Sequence, residues 1–250
     1  MENINSTKVS IIVASLNSAK NIGKAIASLQ NQNYPNLEII FIDGGSTDNT
    51  VELIKGFNLA NSVLISESDR GIGDAWNKGI RICTGELIGI LNSDDYYEHN
   101  VVEKIVPYFY NADKPLIGFG DVTLINPVDD SRKQIIGKMR GKLGLLNGFG
   151  FLHPSVFFNR KALDMIGLFN PRISVAMDVD WLLRAIKQKI VFEKIPSHTY
   201  MLIGGVSHVN KYTGMGEYMD ALVRNGYSKI HMFLFFVLRC AGSLLEIINK

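Results

Sequence analysis

The sequence has few cysteines and almost no net charge. Its 250 residues include two cysteines, Cys83 and Cys240, which lie far apart and lack metal-ligand spacing. This argues against a disulfide framework or a zinc site and fits a reducing compartment. A formal net charge of +2 argues against a general electrostatic grip on nucleic acid, so we expect no nucleic-acid partner.

Signals for export and for two common nucleotide-binding loops are also missing. The chain starts with a single Lys8 before a short apolar run and has no small-residue cleavage site, unlike a secretory signal. No G-x-x-x-x-G-K-[ST] element is present, and no G-x-G-x-x-G follows the first apolar run. A P-loop nucleotidase and the usual dinucleotide site are therefore not supported. We see no linker or internal repeat, and we expect one continuous domain over residues 1–229.

What the sequence does contain is an alternation of short apolar runs and helical patterns. Hydrophobic residues make up 46% of the chain, enough for a substantial core. The first half predicts a mostly parallel sheet covered on both faces by helices, with Thr47 or Asp48 as the N-cap of the second helix. The predicted strands are 9–15, 37–43, 62–67, 86–95, 116–125 and 190–196, and the predicted helices are 21–32, 51–55, 74–83, 161–169 and 178–189.

Carboxylates follow three of the predicted strands. Asp43 ends the second strand, Asp69 follows the third, and Asp94 and Asp95 follow the fourth. Each could be a simple turn or cap residue. As a set they indicate a ligand site, because ligands of open α/β sheets bind outside the carboxyl ends of the strands. Adjacent carboxylates also suit a hard divalent cation that binds substrate phosphates.

Five motifs in order give the chain a family resemblance. Residues 9–17, 26–35, 37–50, 69–79 and 84–95 resemble family 2 inverting glycosyltransferases of the GT-A fold, and the likeness extends over roughly residues 8–200. The subgroup that the chain is most similar to acts on bacterial exopolysaccharide, capsule or O-antigen repeat units. The resemblance implies an α/β GT-A fold with a mostly parallel central sheet and a nucleoside diphosphate sugar donor, with UDP as the expected nucleotide.

The resemblance also implies the donor site. Asp43 would accept hydrogen bonds from the base, and the end of the first strand would lie along the nucleoside. The implied nucleotide-sugar residues are Ala14, Leu16, Asn17, Asp43, Gly44, Asp74, Asn77, Lys78, Asn92, Ser93 and Asp94.

A metal site is implied by the turn Asn92–Asp95. Asp94 and Asp95 would bind Mn²⁺ or Mg²⁺, with Asp94 as the preferred ligand. Asn92 stands where the family often has the first acid of this motif, which removes one negative charge and could weaken metal binding.

The catalytic base is implied by the segment that starts at Asp178. The first candidate is Asp178 and the second is Asp180, while Met177 occupies a position where the family often has Glu. The alternative for both aspartates is capping of a helix N-terminus. His153 would lie on the acceptor side, where it either binds the acceptor or shapes the loop.

Two features concern the acceptor. Residues 131–163 contain seven cations and no acid, which suits a phosphate-bearing lipid acceptor or forms an ordinary solvated loop. These cations are Arg132, Lys133, Lys138, Arg140, Lys142, Arg160 and Lys161. The apolar segment 230–250 is expected to form a helix that binds a membrane surface or a partner, because Arg239 interrupts it before it reaches the ~20 residues that span a bilayer.

The sequence thus predicts a metal-dependent inverting glycosyltransferase. It would move a sugar to a hydroxyl of a lipid-linked or growing glycan in bacterial surface polysaccharide synthesis. The expected location is cytoplasmic, with peripheral contact to the inner face of the membrane through residues 230–248. A sugar-nucleotide nucleotidyltransferase and a non-catalytic nucleotide-sugar-binding protein are the alternatives.

Overall fold

Strands and helices alternate through the first half of the chain, as the apolar runs predict. The computed structural model describes residues 6–57, 61–230 and 232. In this half the strands are β1 (Val9–Ser15), β2 (Leu37–Asp43), β3 (Ser62–Ser66) and β4 (Leu87–Asn92), and the helices are α1 (Ile22–Gln30), α2 (Thr50–Gly56) and α3 (Ile72–Ile82).

The second half adds five strands and five helices to the described part of the chain. The strands are β5 (Tyr96–Tyr97), β6 (Leu116–Ile125), β7 (Arg132–Ile135), β8 (Val156–Asn159) and β9 (Val191–Leu202). The helices are α4 (Val101–Phe109), α5 (Arg160–Ile166), α6 (Met177–Lys187), α7 (Val206–Val209) and α8 (Lys211–Arg224). Two short 3-10 turns, Gly144–Asn147 and His153–Ser155, lie in the glycine-rich segment.

All the described strands belong to one sheet, in the order β3-β2-β1-β4-β8-β6-β9-β5, with β7 on β6. The first four strands are parallel. Antiparallel pairs then join β8 to β4 and β6, while β9 runs parallel to β6. The predicted α/β class is confirmed. The parallel pairing predicted for the first half of the chain is found there, and the complete sheet is mixed.

Helices cover both faces of this sheet, because alternate residues of the parallel strands point to opposite sides. On β1, Ile11 and Val13 pack with α1 and α4, whereas Ile12 and Ala14 pack on the side of α3 and α6. Both sets are buried. This two-sided burial explains why the strands read as continuous apolar runs.

Several predicted boundaries shift. The second helix starts at Thr50, after Asn49, so neither Thr47 nor Asp48 is its N-cap. The Asp48 carboxylate instead accepts hydrogen bonds from the backbone N–H groups of Ala19 (3.1 Å) and Thr50 (3.0 Å), which ties the loop after β1 to the loop after β2.

The predicted C-terminal helix lies outside the described residues, apart from Ile230 and Met232. Among the described residues, none of the helices combines the length and the hydropathy needed to cross a bilayer.

Close packing of α3 on β1 requires a glycine at position 79. A Cβ built there would lie 2.4 Å from Cγ2 of Ile12, whereas a Cβ at Gly23 in α1 would meet no atom within 4 Å. Both glycines are helical. Alanine is the better helix former by ~1 kcal/mol, so replacing a helical glycine by alanine stabilises the fold where there is space for the Cβ. Where the Cβ meets a neighbour, the same replacement destabilises it.

We therefore expect Gly23→Ala to raise the free energy of unfolding by about 0.5–1 kcal/mol and Gly79→Ala to lower it by about 1–3 kcal/mol. Urea denaturation of the two variants checks this. A stabilised Gly79→Ala protein would contradict the tight contact between α3 and β1.

Candidate active site

A cavity of about 860 Å³ opens at the carboxyl ends of the parallel strands. The register of the sheet places Ala14 beside Asn92 and Ser15 beside Asp43, so the loops after β1, β2 and β4 meet at this edge. The structure brings nine of the predicted site residues to the cavity wall: Ala14, Leu16, Asn17, Asn92, Ser93, Asp94, Asp95, His153 and Asp178.

Hydrogen bonds between loops fix the floor of this cavity. Asn17 adopts a left-handed conformation (φ 47°), and its side-chain oxygen accepts a hydrogen bond from the backbone N–H of Thr47 (2.9 Å). The hydroxyls of Ser18 and Ser93 share a hydrogen bond of 2.7 Å. Leu16 is 55% exposed between them, so an apolar surface is presented to whatever enters.

Asp43 is placed differently from the prediction. Its side chain is fully buried and does not line the cavity. The carboxylate accepts hydrogen bonds from Ser15, Gly45, Ser46 and Ser66 at 2.5–3.2 Å, and those on Gly45 and Ser46 lower the pKa of Asp43 despite its burial. In this structure Asp43 organises the turn after β2, and its contact with a base stays a prediction.

Asn77 and Asp74 also make internal contacts. The Asn77 amide donates to the carbonyl of Phe169 and accepts from its N–H, both at 2.9 Å, and the side chain is buried. Asp74 accepts hydrogen bonds from the backbone and guanidinium of Arg70, which lower its pKa. Neither side chain lines the cavity. The structure therefore gives both residues a role in holding loops together.

Lys78 and Gly44 do not line the cavity either. The Lys78 ammonium donates to the carbonyl of Ser68 and pairs with Glu67, both at 2.9 Å. A Cβ on Gly44 would approach Oδ2 of Asp69 to 2.6 Å, so the glycine makes room for that carboxylate.

Asp69 lines the cavity, as the set of strand-end carboxylates indicated, although it was not among the donor-site residues that the resemblance implied. Its Oδ1 accepts a hydrogen bond from the N–H of Gly71 (2.8 Å). The signal that identifies it was the acid at the end of the third predicted strand, which the sheet edge brings to the same place as Asp94.

The turn after β4 holds two adjacent carboxyl groups, of which Asp95 is buried and Asp94 is half-buried. Burial raises the pKa of Asp94, and burial together with the charge of Asp94 raises the pKa of Asp95. Oδ1 of Asp95 and Oδ1 of Asn92 are buried and have no hydrogen-bond partner among the described residues. Burying two such acceptors near each other costs free energy unless a cation binds them or a hydrogen-bond donor reaches them.

The cavity wall carries more negative than positive groups. Among the described lining residues, four are carboxylates (Asp69, Asp94, Asp95 and Asp178) and the single lysine or arginine is Lys211. A diphosphate would be repelled by such a wall unless a divalent cation accompanied it.

The carboxylates at the end of β4 could bind such a divalent cation together with the donor. In the part of the chain that is described, no three His, Cys, Asp or Glu side chains are placed to hold a metal ion. Mg²⁺-like ions bind through one or two carboxylates and complete their shell with water and substrate phosphates. Asp94 and Asp95, with the Asn92 amide oxygen beside them, suit a metal that arrives with the donor.

The two candidate bases have separate environments. Asp178, in the first turn of α6, lines the cavity, and one of its oxygens accepts a hydrogen bond from the N–H of Val179 (2.8 Å). Asp180 is buried away from the cavity and pairs with Arg184 (3.0 Å) and Arg224 (3.4 Å). Of the two, Asp178 alone is placed to receive a proton from a ligand.

Glu217 of α8 holds the segment that precedes Asp178. Its carboxylate accepts hydrogen bonds from the N–H groups of Ser174, Val175 and Ala176 and from the Ser174 hydroxyl, all at 2.8–2.9 Å. The backbone donors of Ser174 and Ala176 lower the pKa of Glu217 although desolvation opposes them. No sequence motif indicated this residue, because α8 itself was not predicted.

His153 lies against Trp76 at the cavity wall. The rings stack with centroids 4.4 Å apart. Both imidazole nitrogens are buried without a partner among the described residues, and burial lowers the pKa of His153. A neutral imidazole at this wall has one donor and one acceptor to offer.

The cations of residues 131–163 do not gather at the cavity, and none of the seven lines it. Arg140 donates to the carbonyls of Asn147 and Gly148, and Arg160 donates to those of Cys83 and Gly85. Of the two readings of this segment, a phosphate-binding acceptor patch therefore has no support at the cavity wall.

Comparisons with known proteins show a family match over more than half of the chain. Residues 10–167 match the family described as Glycosyl transferase family 2. A PGL/p-HBAD biosynthesis glycosyltransferase of Mycobacterium bovis is 27% identical over 206 residues, which are 80% of this chain and 78% of that protein. The chondroitin synthase of Escherichia coli is 30% identical over 185 residues, which cover 70% of this chain but only 26% of that protein.

Two solved structures have a similar fold at 18% sequence identity. One is residues 1–349 of S. aureus TarS in complex with UDP-GlcNAc, with a TM-score of 0.67 and coverage of 91% of this chain and 70% of that one. The other is a mannosyltransferase from Pyrobaculum calidifontis in complex with GDP-Man and Mn²⁺, with a TM-score of 0.66 and coverage of 90% and 66%.

The contacts of Glu217 predict a pH-dependent loss of stability. Glu217→Gln keeps one acceptor oxygen but loses the charge, so the free energy of unfolding at pH 7 should fall by about 1–3 kcal/mol. Because the folded-state pKa is depressed, the carboxylate's contribution is present above its unfolded pKa and is lost as the pH falls through the folded value.

Urea denaturation between pH 3 and pH 7 should therefore show the two proteins converging in acid. Asp220→Asn, which changes an exposed acid on the same helix, is the matched control and should stay within about 0.5 kcal/mol of the parent. A constant gap at every pH would contradict the proposed role of the charge.

Proposed function

Because the chain belongs to glycosyl transferase family 2 and is a glycosyltransferase, we propose that it moves a sugar, with inversion, from a nucleoside diphosphate sugar to a hydroxyl group. The observation that carries the proposal is that one cavity is lined both by Asp178 and by the pair Asp94 and Asp95. Solved relatives in fold hold UDP-GlcNAc, or GDP-Man with Mn²⁺, which supports a donor of this class.

The donor would lie on the floor between β1 and β4. Ala14, Leu16 and Asn17 offer an apolar and hydrogen-bonding surface for the nucleoside, and Ser93 lies beside them. No lysine or arginine of the loop after β1 lines the cavity in the described structure, so the triphosphate grip of a nucleotidyltransferase has no support there.

Asp94 and Asp95 would hold the divalent cation, Mn²⁺ or Mg²⁺, with Asn92 in support. When bound, this cation neutralises charge that develops on the departing diphosphate. It also reconciles an acidic cavity with an anionic donor. Asp94 and Asp95 would hold the cation at the end of β4, beside the part of the floor where the hydroxyls of Ser18 and Ser93 meet.

Asp178 would act as the general base. The acceptor oxygen forms a bond to the anomeric carbon, the bond from that carbon to the diphosphate oxygen breaks, and its electron pair leaves with the nucleoside diphosphate. The acceptor proton goes to the Asp178 carboxylate. His153, neutral and at the same wall, would hydrogen-bond an acceptor hydroxyl and help to orient it.

The biological setting that we propose is bacterial surface polysaccharide synthesis, with a lipid-linked or growing glycan as the acceptor. The enzyme would work in the cytoplasm, and residues 230–248 would bring it to the membrane surface.

The two aspartates of α6 should respond differently to neutralisation. Asp178→Asn should lower kcat about 10²–10⁴-fold with little change in the free energy of unfolding, because a general base contributes that much. Asp180→Asn is the matched control, and it should lose about 1–3 kcal/mol of stability while keeping kcat within about tenfold, because it breaks buried ion pairs. Full transfer activity in a folded Asp178→Asn protein would remove that residue as the base.

Metal and nucleotide should bind together. A panel of nucleoside diphosphates with and without Mn²⁺ should raise the Tm mainly when both are present, since a ligand of the folded state stabilises it by mass action. Asp94→Asn should raise by about tenfold the Mn²⁺ concentration that gives the same rise in Tm. Asp113→Asn, which changes an exposed acid, should leave that concentration unchanged. Equally tight binding of the nucleotide in a chelator would overturn the role of Asp94.

A further inference from the structure

One side of the cavity is lined by apolar side chains that the donor chemistry does not use. They come from α8, from the segment around the start of α6, from the 3-10 turn Gly144–Asn147 and, beyond α8, from Met232. We call this side the methionine arm, and it consists of Leu146, Val175, Met177, Met215, Tyr218, Met219, Leu222 and Met232.

The arm is built on one face of α8. Residues 214, 215, 218, 219 and 222 line the cavity, a spacing that puts them on a single helical stripe. Gly214 lets α8 approach the segment before α6, because a Cβ built there would lie 2.9 Å from Cγ1 of Val175, another member of the arm. Glu217 bonds the same helix to the segment before Asp178. The arm and the catalytic base are therefore held as one unit.

No side chain of the arm carries a charge. Lys211 is the single lysine or arginine among the described residues of the whole cavity wall, and none of the cations of residues 131–163 lines it. An anionic or strongly polar group would find few partners in this arm. Methionine side chains are flexible and polarizable, so they adapt to apolar ligands of irregular shape.

We propose that the methionine arm binds the apolar body of the acceptor, an alkyl or aryl group that carries the reacting hydroxyl to Asp178. This rests on the proposed function, because it takes Asp178 as the point where the hydroxyl reacts. It narrows the acceptor from any glycan to one with an apolar aglycone next to the site of transfer.

Alkyl glucosides of different chain length test the arm. Methyl, butyl and octyl β-D-glucoside share one head group, so differences in affinity report on the chain alone. With Mn²⁺ and UDP present and below micelle-forming concentrations, calorimetry should find octyl glucoside at least about 30-fold tighter than methyl glucoside, since a fully buried methylene contributes about fourfold.

Variants identify where the chain binds. Met215→Gln, alone and with Met219→Gln, should reduce the octyl preference to about threefold or less, while Met165→Gln, an exposed methionine of α5 outside the cavity, should preserve it. Urea denaturation checks that the variants fold. If the double variant is unfolded, the test uses Met215→Gln alone.

Two results would overturn the inference: equal affinity for methyl and octyl glucoside, or an octyl preference that survives in folded Met215→Gln and double variants. Failure of the proposed function looks different. In that case UDP with Mn²⁺ gives no rise in Tm, whatever the alkyl glucosides do. A normal nucleotide shift without an octyl preference rejects the arm alone.

Discussion

The architecture of the site follows from an excess of negative charge at one edge of the sheet. Parallel strands end together, and here the loops that follow β3 and β4 bring three carboxylates to a wall that also includes Asp178. Lys211 alone does not balance them. Such a cavity is stable and useful only if its carboxyl groups are protonated, hydrogen-bonded or joined by a cation. Under the proposed function, a donor that enters with a divalent ion would balance this charge as it binds.

Carboxylate side chains have two kinds of role in this protein, and the number of hydrogen-bond donors around each carboxylate distinguishes the two. Asp43, Asp180 and Glu217 are saturated by serine hydroxyls, arginines or backbone N–H groups, and they hold loops and helices in place. Asp94 and Asp178 have few internal donors and face the cavity. A carboxylate that the protein already satisfies has little left to offer a ligand, whereas one that lacks partners is available for metal or proton.

This distinction marks the limit of what could be read from the sequence. The parallel strands were predictable because burial on both faces gives continuous apolar runs, and strand ends then located Asp94 and Asp95. The environment of Asn77 was not predictable, since its partner Phe169 lies far away in the chain. Asp43 and Asp180 also have near partners, Ser46 and Arg184, but their distant partners Ser66 and Arg224 could not be predicted. The helix α8 was missed because Gly214 and Gly216 weaken its local helical signal, and tertiary contacts stabilise it instead.

The basic segment shows why local charge in a sequence does not imply a charged binding surface. Long stretches of residues 131–163 lack regular structure, so neighbouring carbonyls have no ladder partners and need other donors. Arg140 supplies them to Asn147 and Gly148 within this segment, and the guanidinium geometry suits several carbonyls at once. Arg160 donates instead to the carbonyls of Cys83 and Gly85, and so joins the segment to the end of α3. Backbone carbonyls thus engage these two guanidinium groups, and none of the seven cations lines the cavity.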